Sequence, residues 1–416
     1  MKKLSLLLAG ILLIGAFLAG CDTRTTDTKV SGREVRLAVW GSSPAEVQAL
    51  DKTIADFEGE TGIKVVKEVI SDSYLDIIKT RLIGGEGPDV FYLDSYAAAE
   101  VIESGAVMAL DEWITDDFKI DDFYPSLVNA FRGSDGKLYG IPKDYSTLAL
   151  YYNENLLKEA GYTPEDIPDS LEELHRFAEA LQPKLQEGRK ALTVMTDLAR
   201  MMYLAESTGV DIIKDDKANI ADPEIIKNLQ LMVDARAKGY ADNPQGLGTG
   251  WNGEAFGVQK TAMMIEGNWV ISFLKEQFPE VKYGVKEVPT YNGKKGTMAY
   301  TVAYVINADT DNKENAWTFI QYMTGPKGMD TWTKGSGVLP SRKSVAQSQN
   351  LEKDPVKSAH VAGAQYATPW QKGIHLPTVM TNFNNEFLSA FLGKKSLKEA
   401  MEKAQEVANK EIAAQK

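Results

Sequence analysis

Three apolar segments separated by two amphipathic ones constrain this chain more than any other feature. Val35 to Trp40 (VRLAVW), Ile63 to Val69 (IKVVKEV) and Asp89 to Leu93 (DVFYL) read as strands. Their β-branched and apolar content suits buried positions. Ser43-Pro44-Ala45-Glu46 is a capping box with Pro at the first helical position. Val47, Leu50, Ile54 and Phe57 then mark one helical face, which Gly59 and Gly62 close. Tyr74 to Leu82 forms a second amphipathic helix, and Gly84-Gly85-Glu86-Gly87-Pro88 a loop. This β-α-β-α-β order implies right-handed crossovers and a largely parallel sheet.

The pattern continues downstream. Leu138 to Ile141 and Ala149 to Tyr152 read as strands flanking an irregular stretch, Pro142 to Thr147. Ser170-x-x-Glu173 is a second capping box, with Leu171, Leu174, Ala178 and Leu181 on one face. His175 in that helix reads as a surface or boundary residue. Pro223 to Lys238 is a helix, and Thr261 to Glu266 (TAMMIE) an apolar strand closed by Gly267-Asn268-Trp269. Val302 to Ile306 is a strand. Ala316, Phe319, Ile320 and Met323 share a helix face that stops at Gly325-Pro326, and Phe387 to Gln405 is a helical C-terminal segment.

The first 21 residues carry an address. Two lysines, an apolar run from Leu4 to Ala19 and small residues before Cys21 match an export signal. Cys21 is the only cysteine, so no internal disulfide forms. Its position looks like the lipobox of a bacterial lipoprotein, with cleavage before Cys21 and lipid on its thiol. Residues 1–20 are then a signal peptide and residues 21–32 a polar, Thr-rich tether. A plain secretion signal or a retained anchor are the alternatives, though a membrane span usually takes about 20 apolar residues. In a Gram-negative cell Asp22 would resemble an inner-membrane retention signal. The location expected is extracytoplasmic, on the outer face of the cell membrane.

Charge narrows the partners. The 416-residue chain carries −12, and loss of Lys2 and Lys3 makes the mature form about −14. Nucleic acid is therefore not expected as a partner, since phosphates demand a basic surface. The three histidines, His175, His360 and His375, are too far apart for a metal-ligand motif. No metal and no cofactor is expected. Gly246-x-Gly248-x-Gly250 lacks dinucleotide spacing, and Gly335-Ser336-Gly337 lacks the spacing of a nucleophile elbow. Asp309-Thr310-Asp311-Asn312 lacks the glycine of a calcium loop.

Aromatic residues end several strands or sit in the loops that follow: Trp40, Tyr92, Tyr96, Tyr145, Trp251, Trp269 and Trp370. In open α/β sheets ligands bind beyond the carboxyl ends of strands. A flat aromatic face buries the C–H face of a sugar while the ring hydroxyls point sideways. Ordinary core packing is the plain alternative for each. Carboxylates accompany them: Asp94 after DVFYL, Asp144 after Pro142, and Glu266 at the end of TAMMIE. A carboxylate accepting sugar hydroxyls makes charge-assisted hydrogen bonds. A helix cap for Asp94 and a turn or salt bridge for Asp144 are the alternatives. Arg342 reads equally as a ligand donor or a structural ion pair.

A family resemblance gathers these motifs. Gly87-Pro88-Asp89-Val90, Tyr139-Gly140-Ile141-Pro142 with Tyr151-Tyr152-Asn153, Gly267-Asn268-Trp269, Ala316-Trp317-x-Phe319-Ile320 and Leu339-Pro340-Ser341-Arg342 occur in order. They resemble the extracellular solute-binding proteins of carbohydrate ABC transporters, a family that includes the maltose-binding proteins. The resemblance implies a periplasmic-binding-protein-like type II fold: two α/β lobes with mostly parallel sheets, joined by a multi-segment hinge. It places residues 33–144 with 301–338 in the N-terminal lobe, and 145–300 with 339–416 in the C-terminal lobe. By motif, the cleft aromatic carries over to Trp40, the polar residue after the GPDV strand to Asp94, the hinge polar residue to Asp144, and the stacking Trp to Trp269. Thr196 and Asp197 sit where the family often places contacts. Trp251, Tyr300, Arg342 and Trp370 are placed by region. The first loop, Gly41-Ser42-Ser43, offers hydroxyls where maltose binders place charged contacts, so Ser42 is a candidate contact and no maltose preference transfers.

The expected role is that of a non-catalytic monomer that grips a mono- or oligosaccharide and delivers it to ABC permease subunits. A sensor or adhesion lipoprotein on the same scaffold, a polysaccharide-processing enzyme, and a binder of polyamines or other cations are the competing readings.

Overall fold

The computed structural model describes residues 33–414, so Cys21 and the tether before Arg33 lie outside the described residues. Among the described residues no helix is long and apolar enough to cross a membrane.

The opening alternation forms as its sequence implies. Strand β1 (Glu34–Trp40) leads to helix α1 (Pro44–Thr61), strand β2 (Lys64–Ile70), helix α2 (Tyr74–Ile83), strand β3 (Val90–Asp94) and helix α3 (Ser95–Glu103). Ser43 Oγ accepts the Glu46 N–H at 3.3 Å at the start of α1. Helix α1 runs through Gly59 and stops at Gly62, whose φ of 70° is the left-handed conformation that favours glycine. β2 and β3 pair parallel to β1 on either side.

Two long strands depart from the expected pattern. Residues 140–153 form one continuous strand, β4, where the sequence reads as two strands around an irregular stretch. Opposite it runs Met298–Ile306, longer than the expected Val302–Ile306. Val302 faces Asp144 while Ala303 faces Pro142, so Lys143 is the extra residue of a bulge. The bulge lets a proline sit inside a central strand. It also explains why the apolar pattern breaks there without ending the strand.

The resulting ten-stranded sheet follows the path β2, β1, β3, Met298–Ile306, β4, Thr261–Gly267, Lys190–Thr193 and Ala241–Asp242, with Tyr283–Lys286 paired beside β4 and Thr368–Pro369 beside Met298–Ile306. Each end is a parallel set, and the two central strands run antiparallel to their neighbours. Apolar side chains segregate into two large cores on this framework. One holds Val35, Phe57, Phe91, Ile141, Tyr304, Phe319 and Trp332. The other holds Leu150, Leu174, Met202, Met263, Phe383 and Met401. Two α/β lobes therefore share β4 and Met298–Ile306 as crossing strands. Tyr145 N–H bonds to Leu339 O at 3.1 Å, which ties the 337–341 passage to the same crossing.

Two further readings are corrected and one is extended. His175 is buried, with Nδ1 3.1 Å from Tyr240 Oη, and burial draws its pKa down to about 4. Helix Lys313–Thr324 does stop at Gly325, but Pro326 starts another, Pro326–Ser336. The helical C-terminal segment starts earlier than Phe387 and consists of two helices, Leu376–Phe391 and Leu397–Ala414. Ser396 and Glu399 bond reciprocally at the start of the second, a capping box.

Candidate functional site

A cavity of about 340 Å³ opens between the two cores, within the size range of small-ligand sites. The first lobe contributes Trp40, Ser42, Ser43, Glu46 and Asp94. The crossing strands supply Lys143, Asp144, Ser146, Tyr300, Thr301 and Val302. The second lobe contributes Asn268, Trp269, Ser272, Phe273 and Glu276. Ser336, Gly337 and Val338 complete the wall. A larger cavity, about 720 Å³, lies elsewhere along Val285–Thr290 and Ser358–Gln365. None of the expected site residues lines it, so size alone does not choose the site.

Trp40 ends β1 and stands edge-on to Tyr74 at 5.2 Å and Tyr92 at 5.0 Å. Tyr74 Oη donates to Ala38 O and accepts the Tyr92 N–H, which fixes this stack to the backbone. Across the cavity, Trp269 begins helix Trp269–Gln277 and meets Tyr300 edge-on at 5.4 Å. Its ring folds back over the strand end, where a Cβ on Gly267 would lie 2.2 Å from the indole. A side chain on Gly267 would displace the indole from this pose. The Arg200 guanidinium lies 5.2 Å from the Trp269 ring centre, a cation–π distance.

The carboxylates divide by role. Asp94 caps α3, accepting the Tyr96 N–H on Oδ1 at 3.0 Å, and it also lines the cavity. The cap reading is the one realised at this residue. Burial pushes its pKa up to about 6. Asp144 lines the cavity too, yet its Oδ2 already takes the Lys143 ammonium and the Trp332 Nε1–H, the latter at 2.9 Å. The Lys143 ammonium sits over the rings of Trp332 at 4.2 Å and Tyr92 at 4.8 Å. Glu266 does not line the cavity. It is fully buried, accepts Arg200 Nε and Nη2 at 3.2 Å each, and takes Asn252 Nδ2 at 3.3 Å. Burial raises its pKa against the pull of Arg200. Its place is behind Trp269, holding Arg200.

The other candidates scatter. Arg342 is 2 % exposed and clamps the chain: Nε donates to Thr324 O at 2.6 Å and Nη2 to Phe118 O at 2.8 Å. The ion-pair alternative is the one realised, with Asp122 at 3.4 Å. Tyr145 is buried against Tyr124 at 5.4 Å. Trp370 is buried in the second core. Asp197 caps helix Leu198–Ala205 through the Arg200 N–H at 2.9 Å. Tyr96 packs between the two cores. Trp251 stands behind the cavity, 4.7 Å from Phe273. None of these six lines the cavity.

Sequence reasoning missed Ser272, Phe273 and Glu276. They follow Trp269 at three, four and seven residues along one helix face, a spacing that could have flagged them. It missed Ser43 and Glu46 because their capping role was sufficient explanation. It missed Lys143 because the bulge that aims it has no sequence signature.

The profile of the bacterial extracellular solute-binding protein family matches residues 52–359. The chain belongs to that family. Among characterised relatives, the galactooligosaccharide-binding protein of Bacillus subtilis is 24 % identical over 422 residues, covering 95 % of this chain and 94 % of that one. The maltodextrin-binding protein MdxE of the same organism is 24 % identical over 404 residues, with the same coverage. In three dimensions the sugar-binding protein MalE of Xanthomonas citri superposes with a TM-score of 0.82 at 20 % identity, covering 92 % of this chain and 98 % of that one. That likeness establishes the shared two-lobe fold.

Proposed function

We propose that this chain is the substrate-binding lipoprotein of an ABC importer, and that it captures an oligosaccharide between its lobes. One observation carries the reading: Trp40 and Trp269, from opposite lobes, line a single cavity whose wall also presents the hydroxyls of Ser42, Ser146, Ser272 and Thr301 and the carboxylates of Asp94 and Glu276. A sugar ring offers apolar faces and a rim of hydroxyls, and this wall complements both. The relatives named for galactooligosaccharide and maltodextrin binding, and the solved sugar-binding proteins, support the same class.

In this reading the open lobes admit the sugar, the crossing strands flex, and closure presents a docked complex to permease subunits. Ligand favours closure only through contacts that differ between the two states. The lobes are residues 33–144 with 301–338, and 145–300 with 339–416. Val345 packs in the first core, which moves the last boundary several residues downstream. Lipid on Cys21 holds the mature monomer at the outer face of the membrane. The reading is non-catalytic, in keeping with the solute-binding family and with relatives named as binding proteins.

The test is a thermal-shift screen of the soluble chain against neutral α- and β-linked oligosaccharides, followed by calorimetry on any hit. A ligand that binds only the folded form raises the midpoint by mass action. A panel that shifts nothing would overturn the proposal.

A further inference from the structure

The cavity wall is rich in acceptors and poor in free cations. Asn268 lines it, is 3 % exposed, and its buried Oδ1 has no hydrogen-bond partner among the described residues. An acceptor in that position calls for a donor from a ligand, because a buried polar group left unpaired is costly. Asp94 uses Oδ1 for its cap bond. Glu46 and Glu276 add two more carboxylates.

Two of the three helix N-termini at this wall, where an anion could bind, already hold acids, and the third, at Trp269–Gln277, holds none. Helix N-termini attract negative charge. At α1 the chain places its own Glu46 in the first turn, and at α3 its own Asp94 is the cap. Among the described residues Lys143 is the one Lys or Arg on the cavity wall. Its side chain is 7 % exposed, bound to Asp144 and held over two aromatic rings. It cannot turn to an incoming carboxylate without abandoning Asp144 in a buried place.

Resting on the sugar-binding reading above, we infer that this cleft selects by charge. It rejects sugars that carry an anionic group and accepts a protonated amino group in place of a hydroxyl. An ammonium keeps the donor that Asn268 Oδ1 requires and adds attraction to Asp94, Glu46 and Glu276. The same wall supplies the aromatic faces, Trp40 and Trp269, that cations favour. A carboxylate removes a donor and is repelled by Asp94, Glu46 and Glu276.

The experiment uses three parallel series of α- and β-linked oligosaccharides: neutral hexose, 2-amino-2-deoxyhexose and hexuronate. Each is titrated calorimetrically into the soluble chain at low salt, and again at high salt. The expected result is binding in the neutral or amino series, with the uronate counterpart of any binder at least tenfold weaker. The amino counterpart binds within threefold or tighter, and weakens with salt. In Asp94→Asn, which keeps the cap acceptor, the gap between amino and uronate counterparts narrows. A uronate that binds as well as its neutral counterpart overturns the charge selection and leaves sugar binding intact. Silence in all three series overturns both readings.

Discussion

The two walls of the cleft present similar aromatic faces by different physical means. On the first lobe, Trp40 leans on Tyr74 and Tyr92 and so on an apolar core. Packing of that kind is lost gradually as atoms are removed. On the second lobe, Trp269 rests against Tyr300 and beneath Arg200, and Arg200 is tied to the fully buried Glu266. An ion pair is lost abruptly, because the surviving charge stays buried without its partner. One wall is a hydrophobic buttress and the other an ionic strut. A binding site can therefore be rigid on both sides while differing sharply in what breaks it.

The largest expected effect tests the strut. Arg200→Ala leaves the Glu266 carboxylate buried with only Asn252 and the Gly267 N–H as donors. Breaking a buried pair in this way costs about 3–5 kcal/mol. The low end is expected here, because Arg200 is 25 % exposed. Urea unfolding should show it, and adding Glu266→Gln should restore part of the loss. A single-mutant loss below about 1 kcal/mol would mean the pair is no strut, since that is the range of exposed ion pairs.

Next come the two tryptophans. Trp269→Ala should weaken sugar binding by about 1–3 kcal/mol, scaled from buried aromatic area, with little loss of stability. Trp40→Ala should weaken binding by a similar amount and in addition lower stability by about 1–2 kcal/mol, because its ring also covers Tyr74 and Tyr92. Calorimetry paired with thermal melts separates the two. Equal stability losses would erase the distinction between the walls, and an unchanged affinity in either variant would remove that residue from the site.

The same contrast governs what the sequence could reveal. The first wall was legible because each part carries a local signal: β-branched strands, the Ser43 cap with Pro44, and Gly62 at a left-handed helix end. Trp269 was legible through the Gly267-Asn268-Trp269 motif that closes the apolar strand before it. Long-range partners were not. Glu266 looked like a ligand contact because nothing nearby in sequence announces Arg200, 66 residues away. Arg342 bonds to carbonyls more than 200 residues upstream, at Phe118 and Lys119. The Lys143 bulge depends on register with a strand at 298–306, which pattern alone does not set. The second C-terminal helix is a different kind of miss. Ser396-Leu397-Lys398-Glu399 is a local cap signal that was present in the sequence.

The smallest effect separates the walls by pH. Asp94 has its pKa raised by burial from 3.8 to about 6. A carboxyl with a raised folded-state pKa stabilises the fold fully below its unfolded value, near pH 4, and that contribution is lost as pH rises through about 6. At neutral pH the ionised group is therefore a cost. Asp94→Asn keeps an oxygen for the Tyr96 N–H and removes the charge. The variant should melt higher than the parent at pH 7.5, by about 1 kcal/mol once the cleft's access to water is allowed for. The advantage should shrink to nothing near pH 4. Sugar affinity should fall in the same variant, since a neutral amide accepts a hydroxyl less strongly than a carboxylate. A stability difference that stays constant from pH 4 to pH 8 would show that the first wall holds no strained charge, and that ionic cost belongs to the second wall alone.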